Sequence, residues 1–406
     1  MASDLQLLID HLAEEVGASV VLEDHDQRSL AHSSQVGAID ELRRDSILHR
    51  ATPPEIITWL RSFGIAHATG PLLIPAHDRL PILPRVCVPA RYRERLLGFV
   101  WVIDADGSVA ASHLGTITKT AEHAALLLYE EQLAQRLMGQ VLSHLLSPSE
   151  ELRSAAAQQI ADQALLIGGQ SVAAVVIQPL VSTPDNADAG SALAQGLTDV
   201  GWEAPTGSLL RLALSDHAVL VVRVRAPADE AARELAAAAR AACERRLQAV
   251  QGEGVRVVAA IGDPFPELQH VVGSYRQARL AAKVAAAIPS TGDLVRWSEL
   301  GVFRALAQLP TREAQEAALD PRVRALLEVG DAALVDTVET FLDRAGDVKA
   351  ASEALHLHRG TLYYRLAKAE RLVGVDFSNG YDRLTVHLGL KLARLTSRWS
   401  GVPERR

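Results

Sequence analysis

The sequence predicts a multidomain α+β chain, and three observations carry that prediction. Two stretches alternate short β-branched runs with helical periodicity, one helical pattern of more than thirty residues lies between them, and the last seventy or so residues show helical signals only. At 406 residues the length suits two to three domains. With 48% hydrophobic and 22% charged residues, each domain has enough apolar side chain to bury a core, which excludes a disordered chain.

Residues 1 to 112 begin with a helix from Leu5 to Val16, followed by strand-like Ala18 to Leu22, a turn at Asp24 to Gln27 and a return from Arg28 to His32. Val86 to Val88 and Leu96 to Ile103 read as later strands, with a turn at Asp104 to Gly107. Strands with flanking helices, and Leu-Gly-Phe-Val-Trp-Val as a late strand, resemble a GAF- or PAS-type α/β sensor domain. That resemblance implies either a small-molecule effector held between sheet and helix or a dimer scaffold. No effector-binding residue is identifiable from the sequence.

Residues 113 to 147 form a connector. A helix from about Ser112 to Leu146 places Leu114, Ile117, Ala121, Ala124, Leu128, Leu133, Leu137, Val141 and Leu145 at steps of mostly three or four, and Pro148 ends it. The stripe suits pairing with a second copy in a homodimer or higher homo-oligomer, or packing on the sensor domain.

Residues 148 to 310 show the order βαββαβ: strand Val172 to Ile177, helix Ser191 to Val200, strands Leu209 to Leu214 and Val219 to Val224, helix Asp229 to Val250, strand Val255 to Ile261. A helix from Phe265 to Ala286 follows. This is the order of ferredoxin-like and nucleotidyl-cyclase-like sheets. Ser182 to Gly190 reads as a flexible insertion, and Gly168-Gly-Gln170 as a helix-to-strand turn. Ile261 to Leu268, Ser274 to Ala278 and Leu300 to Arg304 resemble the central domain of CdaR regulators, a degenerate relative of diguanylate cyclases. A cyclase needs carboxylates for divalent metal and a glycine hairpin beside the base. Here the hairpin is Ser215-Asp-His217 and the first strand ends in Gln178-Pro179, so no enzymatic activity and no cofactor are expected. Nor is there a phosphate loop, a zinc-protease motif or a nucleophile elbow.

Residues 330 to 400 read as an all-α module. Ala332 to Ala345 forms a helix with Leu334, Val335, Val338, Phe341 and Leu342 on one face, closed by Gly346 at C′. Asp347 is the expected N-cap of a short helix containing Ala350, Ala351 and Ala354, Leu355 to Leu357 makes a turn, and a second helix runs from about His358 to Val373. Leu362, Leu366, Ala369 and Val373 share its apolar face; Gly360, Tyr364, Ala367, Lys368 and Arg371 lie opposite. A last helix from about Asp382 to Trp399 is expected to bury Leu384, Leu388, Leu392 and Leu395. From His358 to Arg398 there are eight Lys/Arg and three Asp/Glu, about +5. The whole chain carries −8, which leaves about −13 elsewhere and points to a nucleic-acid-binding end on an acidic body.

The segment is a helix-turn-helix by pattern. Ala351, Leu355, Leu357-His358-Arg359, Thr361-Leu362, Tyr364-Arg365-Leu366, Gly374, Asp376, Arg383-Leu384 and Leu388 resemble the C-terminal domain of PucR/CdaR-type bacterial transcription regulators, and the core resembles the Fis-type motif. The family usually has Asn after the His-Arg pair; here Gly360 stands there, which removes one possible contact and costs helix stability, roughly 1 kcal/mol relative to alanine. The resemblance implies double-stranded promoter DNA as partner. Arg359, Lys368 and Arg371 would neutralise phosphates, Thr361 and Tyr364 would reach bases or backbone, and His358 would sit at the phosphate-seeking helix start. Arg365, beside the apolar face, suits a structural hydrogen bond as well as a DNA contact, and Tyr363 suits interdomain packing. The alternative is a signalling scaffold whose helix-turn-helix no longer binds DNA.

The remaining features place the chain in a cytoplasm. The N-terminus has no basic region before an apolar run, and no stretch is long enough to span a membrane. The fourteen histidines show no metal-ligand spacing, and His25 between Asp24 and Asp26 reads as a solvated turn. Cys87 and Cys243 are read as structural thiols in preference to a redox pair.

Overall fold

The computed structural model describes residues 2–25, 27–34, 37, 40, 54–77, 82–167, 170–180, 186–203, 207–225, 230–252, 254–309 and 312–396. The chain divides into two compact units, Met1–Leu137 and Met138–Arg406.

The first unit contains α1 (Ala2–Val16), β1 (Val20–Asp24), β2 (Ser29–His32), α2 (Pro54–Ser62), β3 (Leu72–Ile74), β4 (Arg85–Tyr92), β5 (Arg95–Ile103) and most of α3 (Ser108–Leu145). Its sheet has the order β2-β1-β5-β4-β3, antiparallel throughout. Successive side chains of a strand point to opposite faces, and here both faces are covered, so β5 is apolar almost without interruption. One face (Val20, Leu22, Val86, Val88, Val100, Val102) packs on Leu5, Ile9 and Leu12 of α1 and on Ile117, Ala121, Ala124 and Leu128 of α3. The other (Val21, Cys87, Phe99, Trp101) is closed by Ile56 and Leu60 of α2 with Ile65 and Ile74. Gly98 is needed at the β1–β5 contact: a Cβ there would lie 2.2 Å from the Glu23 carbonyl oxygen. Neither α2 nor β3 was expected, because a nine-residue helix and a three-residue strand give too few periods to stand out.

The long helix α3 starts at Ser108, four residues before the expected start, because Asp104 accepts the backbone N–H groups of Val109 and Ala110 at 3.0 Å each. Its apolar stripe is not one continuous seam. Ile117 to Leu128 belongs to the core of the first unit and Val141 and Leu145 to that of the second, while Leu133 and Leu137 between them are exposed by 45% and 53%.

The second unit opens with α4 (Glu150–Asp162), β6 (Ser171–Leu180), α5 (Asn186–Glu203), β7 (Leu209–Ala213), β8 (Ala218–Val224), α6 (Glu230–Gln251), β9 (Arg256–Ile261), α7 (Val271–Ala287) and β10 (Leu294–Arg296). The sheet order β10-β9-β6-β8-β7 has β6 antiparallel to both neighbours and β10 parallel to β9. The first four strands thus interleave as a βαββαβ order requires, and β10 is an addition at the edge. α5 starts at Asn186, so residues 186 to 190 of the expected insertion are helical, while 182 to 185 lie outside the described residues, as do Gly168 and Gly169. The expected helix from Phe265 starts later, as a short 3-10 turn at Leu268–His270 running into α7. α5 and α6 cover one sheet face through small side chains. Gly196 lies so close to α6 that a Cβ would come within 2.7 Å of the Cys243 Cα. α7 covers the other through Ala278, Ala281, Ala282 and Ala285.

No helix among the described residues is long and apolar enough to cross a membrane, and no group of three metal-capable side chains occurs there. Cys87 and Cys243 are both buried and free. Burial pushes the Cys87 thiol well up and the Cys243 thiol to about 12, so neither forms a thiolate near neutral pH. A colorimetric thiol assay on native protein should therefore read close to zero, rising to both cysteines in denaturant. Rapid native labelling of either would refute their structural role.

Candidate nucleic-acid interface

The C-terminal module follows two short helices, α8 (Phe303–Leu306) and α9 (Arg312–Ala317), and consists of α10 (Pro321–Glu328), α11 (Ala332–Asp343), α12 (Val348–Ala354), α13 (Arg359–Val373) and α14 (Gly380–Leu395). Side-chain caps set all five starts, Asp320 accepting Arg322 N–H at 2.8 Å for α10. Asp331 accepts Leu334 N–H at 3.0 Å, Asp347 accepts Lys349 and Ala350 N–H at 2.8 and 3.1 Å, and Asn379 accepts Tyr381 N–H at 2.8 Å. His358 is the N-cap of α13, its Nδ1 accepting the Gly360 N–H at 3.2 Å.

The two helices before α13 stop in the same way. At the end of α11, Ala345 N–H bonds Leu342 O at 3.0 Å and Gly346 N–H bonds Phe341 O at 2.9 Å; at the end of α12, His356 N–H bonds Glu353 O at 3.2 Å and Leu357 N–H bonds Ser352 O at 2.9 Å. Both are Schellman arrangements, with a left-handed residue at C′. That residue is Ala345 (φ 54°) after α11 and His356 (φ 51°) after α12. The expected glycine at the C′ position of α11 is therefore one place late: Gly346 follows Ala345.

α13 buries Leu362, Leu366, Ala369 and Val373, as the periodicity predicts, and ends at Gly374 in the left-handed region. On the opposite side Gly360, Tyr364, Ala367 and Arg371 form an exposed row at helical spacing, with Thr361 beside it and Arg359 exposed at the first turn. Tyr364 is 65% exposed and flanked by the two smallest side chains of the helix. A Cβ at Gly360 would meet nothing nearer than the His358 ring at 3.4 Å, so packing does not require the glycine.

Two expected DNA contacts are engaged within the module. Lys368 Nζ lies 2.8 Å from Asp331 Oδ2, and Arg365 Nη1 donates to Thr337 Oγ1 at 3.0 Å and to the Ala333 carbonyl at 3.3 Å. Both tie α13 to the first turns of α11. Tyr363, expected in interdomain packing, is 59% exposed.

The last helix differs from expectation. Its buried face is Val386, Gly389, Leu390, Leu392 and Ala393, so Leu392 is buried as expected, whereas Leu384 is exposed and Leu388 partly so. Both rows are apolar at helical spacing, and Gly389 decides between them. Val323 of α10 lies so close that a Cβ at Gly389 would be 2.7 Å from its Cγ2. Leu384 and Leu388 therefore point away from that core, while Leu392 lies within it as expected and Leu395 packs against the central domain.

Other basic residues of α14 face α11. Glu339, 4% exposed in its side chain, receives Lys391 at 2.9 Å and Arg394 Nε at 2.8 Å; Asp343 receives Lys391 at 2.8 Å and His387 at 2.7 Å. Arg383 bonds the Phe377 carbonyl and stacks 5.6 Å over the Phe341 ring. Arg398 lies outside the described residues. Among the described residues Arg359 and Arg371 have no ion pair and no partner outside α13, whereas Arg365 keeps its charge but is held by neutral groups of α11; Arg371 Nε donates to Ala367 O of its own helix.

Burial alone would raise the Glu339 pKa, but hydrogen bonds from Arg394 and Lys391 outweigh it and hold the carboxyl below its ordinary value. Asp343 is lowered in the same way by His387 and Lys391.

These features define a helix-turn-helix protein. Residues 334–392 match the PucR C-terminal helix-turn-helix domain and residues 149–284 match the GGDEF-like domain. In these two stretches the chain is similar to PucR-type transcriptional regulators. Similar proteins of Bacillus subtilis (strain 168) include the DNA-binding transcriptional activator AdeR, 21% identical over 96% of this chain and 93% of that protein. They also include the proline-responsive transcriptional activator PutR, 21% identical over 97% of each. A solved structure, a regulator of polyketide synthase expression from Bifidobacterium adolescentis, is 17% identical over 64% of this chain and 98% of that one, with a TM-score of 0.27.

Two predictions test the module. Ala345→Gly should stabilise it by about 1 kcal/mol in urea unfolding, because glycine enters the left-handed region without the Cβ penalty; a loss would mean that the alanine methyl is a packing group. The Glu339 carboxyl has a depressed folded pKa, so its stabilisation is complete above the unfolded value of about 4.3 and drains away as pH falls through the folded one. Glu339→Gln should cost about 3 kcal/mol at neutral pH and flatten the acid limb of the stability curve. An unchanged acid limb would assign that limb to other carboxylates.

Proposed function

We propose that this chain binds promoter DNA in sequence-specific fashion through α13, as a homodimer whose affinity responds to a small metabolite. The carrying observation is the two-sidedness of α13. One face is the centre of the module core, and the other presents Gly360, Thr361, Tyr364, Ala367 and Arg371 with no packing partner in the described module. A helix laid in the major groove needs such a division, with cations at the phosphates and short or planar side chains at the base edges. In this reading Arg359 and Arg371 neutralise phosphates, Tyr364 and Thr361 reach bases or sugars, and His358 presents the helix start. Arg365 and Lys368 act by positioning α13.

The domain arrangement that serves this function is a sensor at residues 1–112, a dimerising connector at 113–147, a GGDEF-like domain at 148–310 and the helix-turn-helix at 330–400, working in the cytoplasm. The all-antiparallel sheet of the first unit agrees with a GAF- or PAS-like sensor, and the exposed Leu133 and Leu137 of α3 agree with pairing of two copies. A relative named for its response to proline supports metabolite control.

A cyclase reading is disfavoured by the residues at the β7–β8 hairpin. His217 is buried, with Nδ1 2.7 Å from Asp216 and Nε2 2.8 Å from the Tyr275 hydroxyl. Arg279 bonds both Asp216, at 3.1 Å, and Gln178, at 3.3 Å. The carboxylate that could have met a metal is thus neutralised by a guanidinium. Burial lowers the His217 pKa, so the ring stays neutral near pH 7.

A gel shift of full-length protein on DNA from upstream of its own gene, with nonspecific competitor and a salt titration, tests the reading. Saturable binding that survives competitor is expected. Arg371→Ala should weaken binding to all sequences and reduce the salt slope by about 1, whereas Tyr364→Ala should relax sequence preference with the slope unchanged. Binding abolished by competitor at every salt, on this DNA and on a site selected from the genome, would favour the scaffold alternative.

A further inference from the structure

α13 carries one acidic side chain, Glu370, among Arg359, Arg365, Lys368 and Arg371. Its place is unfavourable on two counts. Glu370 lies in the last turn of the helix, where the carbonyl end of the macrodipole repels a carboxylate. It also adds negative charge to a helix assigned to phosphates and bases. Among the described residues Glu370 makes no ion pair, and the positions one turn away (Leu366, Ala367, Val373 and Gly374) are uncharged.

Its oxygens are turned instead to the chain that leaves the helix. The Glu370 carbonyl accepts Gly374 N–H at 2.9 Å and Val375 N–H at 3.3 Å, and Oε1 of its side chain accepts Phe377 N–H at 2.8 Å. One residue thus holds every amide from Gly374 to Phe377 except Asp376 N–H, which Asp382 Oδ2 accepts at 2.9 Å. Phe377 is buried and secured on its other sides as well. Its carbonyl accepts Arg383 Nε, and its ring meets Phe341 of α11 edge-on at 6.1 Å, with the Arg383 guanidinium over the same Phe341 ring. The turn therefore fastens the C-terminal end of α13 to both α11 and α14. Apolar packing at Val373 resists separation but has no direction, whereas the hydrogen bond to Phe377 fixes an angle.

We propose that Glu370 is a positioning residue for DNA recognition, fixing through Phe377 N–H the C-terminal end of α13 and so the point from which Arg371 reaches a phosphate. Arg371 is the next residue and projects about 100° further around the helix, in the outer row. Glu370 acts on it through the turn. Arg365 and Lys368 set the rotation of α13 from α11; Glu370 sets where its far end stands. The inference rests on the reading that α13 lies against DNA, and it adds to that reading a group outside the outward row.

Two variants separate position from charge. Glu370→Gln keeps an acceptor oxygen and removes the charge, whereas Glu370→Ala removes both. The test is a gel shift of each full-length variant on DNA from upstream of its own gene and on nonspecific DNA, over a salt series. Circular dichroism sets a temperature at which the proteins are folded. Glu370→Ala should lose specific affinity about tenfold, a change of about 1.4 kcal/mol. Its nonspecific affinity should not fall, because the Arg371 charge remains and loosely docked binding tolerates a displaced cation. Glu370→Gln should restore the ratio of specific to nonspecific affinity and bind both DNAs more tightly at low salt, since a repulsive charge is gone. A purely structural role would lower Tm and leave the ratio unchanged in folded protein. The inference is overturned if folded Glu370→Ala keeps the wild-type ratio, or if Glu370→Gln loses it. Should Glu370→Ala not fold, Glu370→Gln decides alone: a retained ratio upholds the acceptor role and a lost ratio removes it. Tyr364→Ala in the same series separates the two readings. If it relaxes sequence preference while Glu370→Ala does not, only this inference falls. If neither variant alters binding, α13 is not the helix that meets DNA, and both fall.

Discussion

The C-terminal module depends on the side of α11 that faces its neighbours. Along twelve residues and its cap, this helix offers Asp331 to Lys368, Thr337 to Arg365, Glu339 to Arg394 and Lys391, and Asp343 to His387. Of the three carboxylates only Glu339 is deeply buried, and a buried carboxylate is tolerable only when fully partnered. Arg394 and Lys391 meet that demand and so dock α14. The partly exposed Lys368–Asp331 pair contributes little energy by itself, because solvent screens it. It nevertheless limits how α13 can turn about its axis, and that orientation decides which residues stand outward.

Net charge and available charge therefore separate in this module. The surplus counted from His358 to Arg398 is about +5, yet most of those cations are spent on the protein itself. What remains without a partner outside α13 is one guanidinium near each end, with Gly360, Thr361, Tyr364 and Ala367 exposed between them. Such a surface gives modest nonspecific attraction and leaves discrimination to the central residues, a division that suits selective binding better than a continuous basic stripe would.

Much of this arrangement was legible in the residues. The buried face of α13, its exposed row, the Asp347 cap, the turn at Leu355 to Leu357 and the βαββαβ order all follow from periodicity and capping chemistry. Arg365 and Lys368 were not separable from Arg371 in the sequence, because their partners are twenty-eight to thirty-seven residues away and charge type alone does not disclose pairing. Leu384 and Leu388 of α14 were misjudged for a related reason, although Leu392 was not. Two apolar rows met the same helical template, and the choice rested on Gly389 opposite Val323, a close approach that periodicity does not encode. In the first unit, the strand run Leu96 to Ile103 was plain.

Gly360 and Ala367 leave hollows on both sides of Tyr364 along the outer row of α13. The helix axis can then approach a flat or grooved surface more closely than it could with ordinary side chains, and the Tyr364 ring becomes a projecting ridge. Tolerance to substitution should accordingly be the reverse of that on most solvent-exposed helix faces. Bulk, which is normally harmless there, would lift the ridge and the cation beyond it away from whatever α13 touches. Selection at these two positions would act on steric volume, with polarity a minor consideration.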